Sequence, residues 1–276
     1  MENITKIINE NLNNIIKKNK LKNILKDVFD GGKRIRPILS FIIFKSFIKK
    51  KNIKYNQKEI INICLSTELL HSISLILDDL PCMDNDNYRR NKETIHFKYG
   101  CHTAVTIIFH IIELYKEILN FDDSDIINIG NNKINLDEYL FNILNSCCLE
   151  LIEGQYLDLN YIPVGLNEEM IIKINSFKTV PLFRISFLLG YFLIYKFDKN
   201  YIFDKQIISD LGKMSKSFGL IFQISDDYID IPQDKENGIF LNFFLTLGKN
   251  RALEIYQENL GIINILLKKH NLYSNH

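Results

Sequence analysis

Apolar residues recur along this chain every three or four positions, which is the spacing of one face of an α-helix. The pattern is clearest in residues 4–16, 61–76 and 136–144, and apolar positions within 21–28 extend the first stretch. We therefore predict a helix in each segment. The positions that carry the pattern are Ile4, Ile7, Ile8, Leu12, Ile15, Ile16, Ile61, Leu65, Leu69, Ile73, Ile76, Leu136, Leu140, Ile143 and Leu144.

Glycine and proline are scarce, at 12 and 5 residues, which is too few to punctuate a protein of many strands. We expect breaks between helices at residues 130–132 and 163–165, and at Pro181 and Pro232. No Ser/Pro/Gly-rich linker or internal repeat separates the segments. The chain is therefore predicted to be all-α, with residues 1–276 forming a single domain.

The composition, 46% apolar and 24% charged, excludes collagen-like, disordered and disulfide-scaffold classes. The net charge of +1 argues against bulk attraction to nucleic acid, although residues 1–54 carry +10 and residues 55–276 carry −9. The five cysteines lack metal-ligand spacing, which favours reduced thiols in a cytoplasmic protein. No signal peptide or transmembrane segment is expected, because Lys45 and Arg184 interrupt the two longest apolar runs.

Two carboxylate clusters follow apolar helical stretches. Asp78, Asp79 and Asp84 follow the stretch 61–77, and a second cluster comes 148 residues later. The second cluster lies on one helix face, where like charges repel unless a cation meets them. Mg²⁺ prefers such oxygen ligands, so the clusters suggest facing walls of a pocket for a diphosphate. A solvated acidic loop is the alternative for the first cluster alone. The second cluster consists of Asp226, Asp227 and Asp230.

Basic residues accompany the carboxylates in two places. The loop Gly-Gly-Lys-Arg-Ile-Arg-Pro at residues 31–37 offers three cations, and its glycines allow close backbone approach. It lacks the spacing of a phosphate-binding P-loop. Arg89 and Arg90 lie just beyond the first cluster. Either group alone is more often a solvated surface, but beside two carboxylate clusters both suit diphosphate oxygens.

The residues now assembled resemble the trans-prenyl diphosphate synthases, of the short-chain farnesyl/geranylgeranyl type. The resemblance implies an isoprenoid-synthase-type helical bundle around a deep central cavity, usually a homodimer. It also implies isopentenyl diphosphate and an allylic diphosphate as substrates. The matching segments are GGKRIRP (31–37), ELLHSISLILDDLPCMDNDNYRR (68–90), GQYLDL (154–159), KTVPLFR (178–184) and FQISDDYID (222–230).

The resemblance also assigns roles, residue by residue. The six aspartates would hold Mg²⁺, three ions per active site, on the allylic diphosphate. Residues that would contact that diphosphate are Arg89, Lys178, Thr179, Gln223 and, as a stand-in from a shortened loop, Lys235. Residues that would hold the diphosphate of isopentenyl diphosphate are Lys33, Arg36, His71 and Arg90. Without the resemblance, His71 would be interpreted as a core histidine.

The implied reaction is ionisation of the allylic diphosphate, attack by the alkene of isopentenyl diphosphate, and loss of a proton. Ile73 and Ser74 lie about one turn before Asp78, where they would set the depth of the tail pocket. Aromatic side chains close this floor in farnesyl-forming relatives. We therefore favour a C20 geranylgeranyl product over a C15 farnesyl product.

The chain departs from the family pattern after Asp230, where the loop is about ten residues shorter and lacks a Gly-Lys-Asp triplet. This motivates an alternative, a non-catalytic or regulatory subunit of a heteromeric synthase. Two complete carboxylate clusters favour the enzyme. A cyclising terpene synthase is a weaker alternative, because it would not need the 31–37 loop and His71.

Overall fold

The computed structural model describes residues 2–49, 54–119, 124–160 and 166–272. Helices dominate these residues and the strands are short, so the predicted all-α class is confirmed. The elements are α1 (Glu2–Lys18), α2 (Lys22–Phe29), α3 (Ile35–Ile48), α4 (Gln57–Cys64), α5 (Ser66–Asp78), β1 (Tyr88–Arg89), β2 (Lys92–Glu93), α6 (Ile95–Tyr99), α7 (Cys101–Leu119), β3 (Ile126–Ile129), β4 (Asn132–Asn135), α8 (Leu136–Asn160), α9 (Glu168–Phe192), a 3₁₀ helix (Leu193–Lys196), β5 (Ile202–Phe203), α10 (Lys205–Asn237) and α11 (Phe243–Lys269).

The chain forms two compact units, the first built from residues 1–122 and 189–197. Its core is aromatic around α3, a helix buried on nearly all sides. The ring of Phe44 lies 5.1 Å from that of Tyr55 and 5.7 Å from that of Phe197. Such ring pairs add packing energy beyond the area they bury. The second unit comprises residues 123–188 and 198–276, and the predicted single domain stays a prediction.

The helical periodicity of the first unit is confirmed, with more breaks than expected. Ile8, Leu12 and Ile16 form the buried stripe of α1. The apolar residues that follow belong to a separate helix, α2, because the Asn19 side chain accepts a hydrogen bond from the backbone of Leu21 and closes a turn. The stretch 61–76 likewise divides into α4 and α5.

The second unit joins α8, α10 and α11, and α9 up to residue 188, with a small sheet in the order β4-β3-β5. Gly130, with φ 58°, turns the β3–β4 hairpin, so a break occurs there as predicted. The predicted breaks at Pro181 and Pro232 are wrong, since α9 and α10 continue through them. A single proline costs a helix about 3 kcal/mol, and packing along these long helices offsets it. The predicted break at 163–165 lies outside the described residues.

The two long helices of the second unit, α10 and α11, are tied together near the start of α10. Asp210 is 1% exposed and its carboxylate accepts hydrogen bonds from Lys269 at 2.5 Å, His270 at 2.8 Å and Gln206 at 3.0 Å. These donors lower the pKa of Asp210 to about 2, although burial opposes the shift. The end of α11 is thus held by a paired, buried carboxylate.

Two helical stretches, Gln57–Asp78 and Glu168–Lys196, have the length and apolar composition of membrane spans. However, 61% and 83% of their apolar windows are buried inside the protein. Core helices of soluble proteins pass the same test, so composition alone does not identify a span. The burial supports their interpretation as core helices.

The close packing of residue 190 generates a stability prediction. A Cβ atom at Gly190 would overlap the carbonyl oxygen of Ser40 and lie 2.9 Å from the Cβ atom of Ile43. We expect Gly190→Ala to lower the free energy of unfolding by about 1–3 kcal/mol, measured by urea denaturation. The matched control is Gly212→Ala in α10, where an added Cβ atom would meet no described residue within 4 Å apart from the backbone of its own helix. The free energy of unfolding of that variant should rise by about 0.4–1 kcal/mol. Equal changes at both positions would contradict the packing argument.

Candidate active site

The first carboxylate cluster lies where α5 ends. Asp79 is 6% exposed and accepts a hydrogen bond from the Nε atom of Arg89 at 2.6 Å. Burial raises the pKa of Asp79, although the positive charge of Arg89 opposes the shift. Asp84 is exposed, and its backbone N–H donates to the carbonyl of Asp78 at 2.9 Å, which folds the cluster into one turn. The structure therefore pairs Asp79 with Arg89 and folds the backbone of Asp84 onto that of Asp78, and the metal-binding roles of the three aspartates stay predictions.

The two neighbouring arginines sit on a tight hairpin between β1 and β2. Arg90 and Asn91 occupy its turn with φ 53° and 61°. Two consecutive positive φ angles define the turn that fits the twist of paired strands, and asparagine tolerates this conformation well. The hairpin places the Nη1 atom of Arg90 3.0 Å from where a Cβ atom on Gly32 would lie. The predicted basic loop and the predicted arginine pair therefore meet.

These groups surround one cavity of about 120 Å³ within the first unit. Its wall includes Gly31, Arg89 and Arg90, so two guanidinium groups and a glycine backbone share one space with several carboxylates. The acidic residues of the wall are Asp27, Asp30, Asp79 and Glu93. One guanidinium group can donate two parallel hydrogen bonds to the oxygens of a phosphate, and a glycine backbone lets a ligand approach closely. The cavity is chemically suited to a phosphate group.

The basic loop owes its shape to Arg34, which the sequence analysis counted among the three cations suited to a diphosphate. Arg34 is buried, and its guanidinium donates to Glu68 Oε1 at 2.7 Å, to Asn9 Oδ1 at 3.1 Å and to the carbonyl of Phe29. Its φ of 54° is unusual for a residue with a side chain. Of the three cations in the loop, Arg34 is structural, Lys33 is exposed, and Arg36 is buried at the start of α3.

His71 lies on α5 two turns before Asp78. Burial lowers its pKa well below the usual value, and the positive charges of Arg36 and Arg90 lower it further. Within the described part of the chain, its Nδ1 atom has no hydrogen-bond partner. A neutral imidazole with an unsatisfied buried nitrogen next to arginines is chemically suited to a polar ligand. The sequence analysis places His71 near Arg36 and Arg90, and the effect of their charges on its pKa agrees with that placement.

The second carboxylate cluster lies in α10, within the second unit. Asp227 is 5% exposed, and both its oxygens accept hydrogen bonds: Oδ1 from Gln223 at 2.8 Å and Oδ2 from the backbone of Phe243 at 2.7 Å. Burial, together with the charges of Asp234 and Asp230, nevertheless raises the pKa of Asp227 to about 6. Asp230 is exposed and Asp226 partly buried on the same helix.

The predicted residues of α9 join this second cluster. Thr179 donates through its hydroxyl to Gln223 Oε1 at 2.8 Å, and Lys178 forms an ion pair with Asp158 of α8. The close approach of α8 requires Gly154, where a Cβ atom would lie 2.8 Å from the backbone nitrogen of Lys178. Thr179, Gln223 and Asp227 therefore form one hydrogen-bonded chain.

Three predicted residues have less distinctive surroundings. Ile73 and Ser74 are partly buried on α5, and the Ser74 hydroxyl donates to the carbonyl of His71 at 2.9 Å. Lys235 is exposed in the last turn of α10. Their roles in chain length and diphosphate binding stay predictions.

Mg²⁺ fits the donor chemistry of these carboxylates. Burial raises the pKa of Asp230 and of Asp227, and the charge of Asp234 raises both further, a cost that a bound cation would relieve. Across residues 2–49, 54–119, 124–160 and 166–272, no three His, Cys, Asp or Glu side chains converge into a ready-made metal cage. Mg²⁺ does not require one, because it commonly binds one or two carboxylates together with water and substrate phosphates.

Comparison with known proteins agrees with this arrangement. A family model described as polyprenyl synthetase matches residues 18–238. The chain belongs to the polyprenyl synthetase family. The farnesyl diphosphate synthase of Buchnera aphidicola subsp. Acyrthosiphon pisum (strain APS) is 36% identical over 262 residues, covering 90% of this chain and 86% of the relative.

Solved structures give the same result for this polyprenyl synthetase. The geranyltransferase from Helicobacter pylori 26695 is 28% identical, with a TM-score of 0.75, and the match covers 98% of this chain and 93% of that one. A geranyltransferase structure from Helicobacter pylori complexed with magnesium and isoprenyl diphosphate is also 28% identical, with a TM-score of 0.74 and coverage of 99% and 94%. The chain is a trans-prenyltransferase with the isoprenoid synthase fold.

The raised pKa of Asp227 generates a prediction about this polyprenyl synthetase. The carboxyl titrates near 3.8 when unfolded and near 6 when folded, so the folded state binds more protons between those values. The protonated Asp227 carboxyl therefore contributes to the free energy of unfolding below about pH 4, and this contribution is lost as the pH rises through about 6. Between about pH 4 and pH 6, the free energy of unfolding of wild type should therefore fall by up to about 3 kcal/mol relative to that of Asp227→Asn.

The measurement is urea unfolding of both proteins without metal, from about pH 4 to pH 6.5. Asp137→Asn, at an exposed carboxyl in the first turn of α8, is the matched control and should follow wild type. Parallel stability curves for wild type and Asp227→Asn would show that Asp227 does not titrate in this range.

Proposed function

We propose that the protein is a Mg²⁺-dependent short-chain prenyl diphosphate synthase that condenses isopentenyl diphosphate with an allylic diphosphate. The observation that carries this proposal is the cavity beside the first carboxylate cluster, where Asp79, Arg89 and Arg90 meet the backbone of Gly31. Carboxylates that can hold a cation and arginines that can hold phosphate oxygens are both needed to bind a metal diphosphate. Few other ligands require both in one small space.

We assign different residues to the two diphosphates and to Mg²⁺. By family resemblance, Arg89, Lys178, Thr179 and Gln223 would bind the allylic diphosphate. Lys33, Arg36, His71 and Arg90 would hold the other diphosphate, and the neutral imidazole of His71 has one N–H to donate. Mg²⁺ bound by the aspartates, three ions by family resemblance, would neutralise the charge that develops on the leaving diphosphate.

In the reaction, the C1–O bond of the allylic diphosphate breaks and the alkene of isopentenyl diphosphate forms a new bond to C1. A proton then leaves the product carbon skeleton for the departed diphosphate. The arginines stabilise the negative charge without accepting or giving a proton, since a guanidinium group stays protonated in proteins. The small side chain of Ser74 and the aliphatic side chain of Ile73 favour a C20 product over C15. We also propose a cytoplasmic location.

The test incubates purified protein with Mg²⁺, isopentenyl diphosphate and each allylic primer, and sizes the products. Wild type should elongate a primer, with C20 as the main product. Asp78→Ala and Asp226→Ala should each lower kcat by at least about 100-fold, because each removes a ligand of the Mg²⁺ that stabilises negative charge in the transition state. Asp137→Asn should retain activity.

Circular dichroism of the two alanine variants serves as the folding control. Retained activity in folded Asp78→Ala or Asp226→Ala would refute the metal assignment. A wild-type protein that elongates no primer, alone or with a partner subunit's extract, would refute the synthase. Activity restored only by that extract would instead support a subunit of a heteromeric enzyme.

We propose that the protein assembles as a homodimer through α8. Four large apolar side chains of this helix are 61–65% exposed, at spacings of 8, 3 and 4 residues that place them on one stripe. A stripe of this kind on a soluble protein is usually covered by a partner, and a second copy presents the same apolar surface. The four residues are Phe141, Leu149, Ile152 and Tyr156.

Ile152→Lys should therefore produce monomers, since it places a charge in the centre of the stripe. Sedimentation velocity at micromolar concentration would measure this as a halved mass. Ile265→Lys is the matched control, because Ile265 of α11 is 66% exposed and should not alter the mass. A dimer that survives Ile152→Lys, or a monomeric wild type, would contradict the α8 interface.

A further inference from the structure

Asn242 lies between α10 and α11 and is completely buried. It is the N-cap of α11, because its Oδ1 atom accepts hydrogen bonds from the backbone of Phe244 at 2.9 Å and of Leu245 at 3.3 Å. An N-cap needs only this acceptor. The other half of the amide, the Nδ2 group, is therefore available for a second task.

The Nδ2 group donates two hydrogen bonds to α10, the helix that carries the second carboxylate cluster. One goes to the backbone carbonyl of Asp227 at 2.9 Å and the other to Asp234 Oδ2 at 2.8 Å. Beside them, the backbone N–H of Phe243 donates to Asp227 Oδ2. Two adjacent residues at the start of α11 thus hold the backbone and the side chain of the same aspartate.

The contacts of Asp227 extend this attachment to α9. Its Oδ1 atom accepts from Gln223, and Gln223 accepts from the Thr179 hydroxyl. Both carboxylate oxygens are used inside the protein, and the group is 5% exposed. Each oxygen keeps a lone pair beyond the hydrogen bond that it accepts, but the burial of the carboxylate leaves little surface on which an ion could bind.

We propose that Asn242 is a positioning residue for the second carboxylate cluster. Through Asp227 it fixes the α10 turn on which Asp226 and Asp230 lie, and these two aspartates bind the metal while Asp227 anchors the turn. This inference rests on the proposed Mg²⁺-dependent function. It assigns Asp227 an anchoring role in place of the metal-binding role that the family resemblance gives it.

Asn242→Ser separates positioning from capping. Serine is an equally good N-cap, so α11 keeps its acceptor, but the shorter side chain cannot donate to both Asp227 and Asp234. The matched control is Asn56→Ser, because Asn56 caps α4 through the backbone of Lys58 and lies in the first unit. Asn242→Thr also keeps a capping hydroxyl but cannot donate to both partners, and it is the second variant if the serine variant does not fold.

The experiment measures binding of Mg²⁺ in the presence of inorganic pyrophosphate by calorimetry, so no turnover is required. Thermal unfolding without metal checks that each variant is folded. We expect Asn242→Ser to weaken Mg²⁺ binding about 10-fold, which corresponds to the loss of one buried hydrogen bond at the site. In the synthase assay, its requirement for Mg²⁺ should rise by a similar factor, whereas Asn56→Ser should match wild type in both measurements.

The outcomes separate this inference from the proposed function. If wild type binds Mg²⁺ with pyrophosphate and the folded Asn242→Ser variant binds equally well, Asn242 is only a helix cap and the positioning role is refuted. If Asn242→Ser and Asn56→Ser are weakened equally, the effect is general destabilisation and the role is again refuted. If wild type itself binds no Mg²⁺ with pyrophosphate, the proposed function fails together with the inference.

Discussion

The buried ion pair between Arg34 and Glu68 is the interaction on which the basic loop depends. Each side chain is 6% exposed, and removing either partner would leave an uncompensated buried charge, at a cost of about 3–5 kcal/mol. Arg34 also reaches Asn9 of α1 and the carbonyl of Phe29 at the end of α2. One guanidinium group thereby joins three helices to the loop.

Each unit contains a cluster of like charges, which is basic in the first unit and acidic in the second. The first unit collects arginines and compensates one of them with Glu68, whereas the second collects carboxylates and surrounds Asp227 with hydrogen-bond donors. In each unit, one member of the charged group is buried and held by the protein. Clustered charges of one sign are what a diphosphate or a divalent cation recognises.

Much of this arrangement was predictable from sequence, because helical periodicity and the charged motifs are local patterns. The stripe of α1 and the meeting of Asp79 with Arg89 followed from spacing or family resemblance. Contacts between residues distant in the sequence were not predictable in this way. Arg34 and Glu68 are 34 residues apart, and no local signal distinguishes that arginine from Arg36. Pro181 shows the opposite failure, since the local rule for a break was overridden by packing.

The position of Asn242 and Phe243 after the second cluster has a consequence for how the protein is made. A ribosome releases α10 before α11, so Asp227 emerges without the two residues that will satisfy its backbone carbonyl and carboxylate. A buried carboxylate without donors is unfavourable, and this part of α10 therefore cannot settle during the early stages of synthesis. The second carboxylate cluster is therefore completed only after the start of α11 has left the exit tunnel.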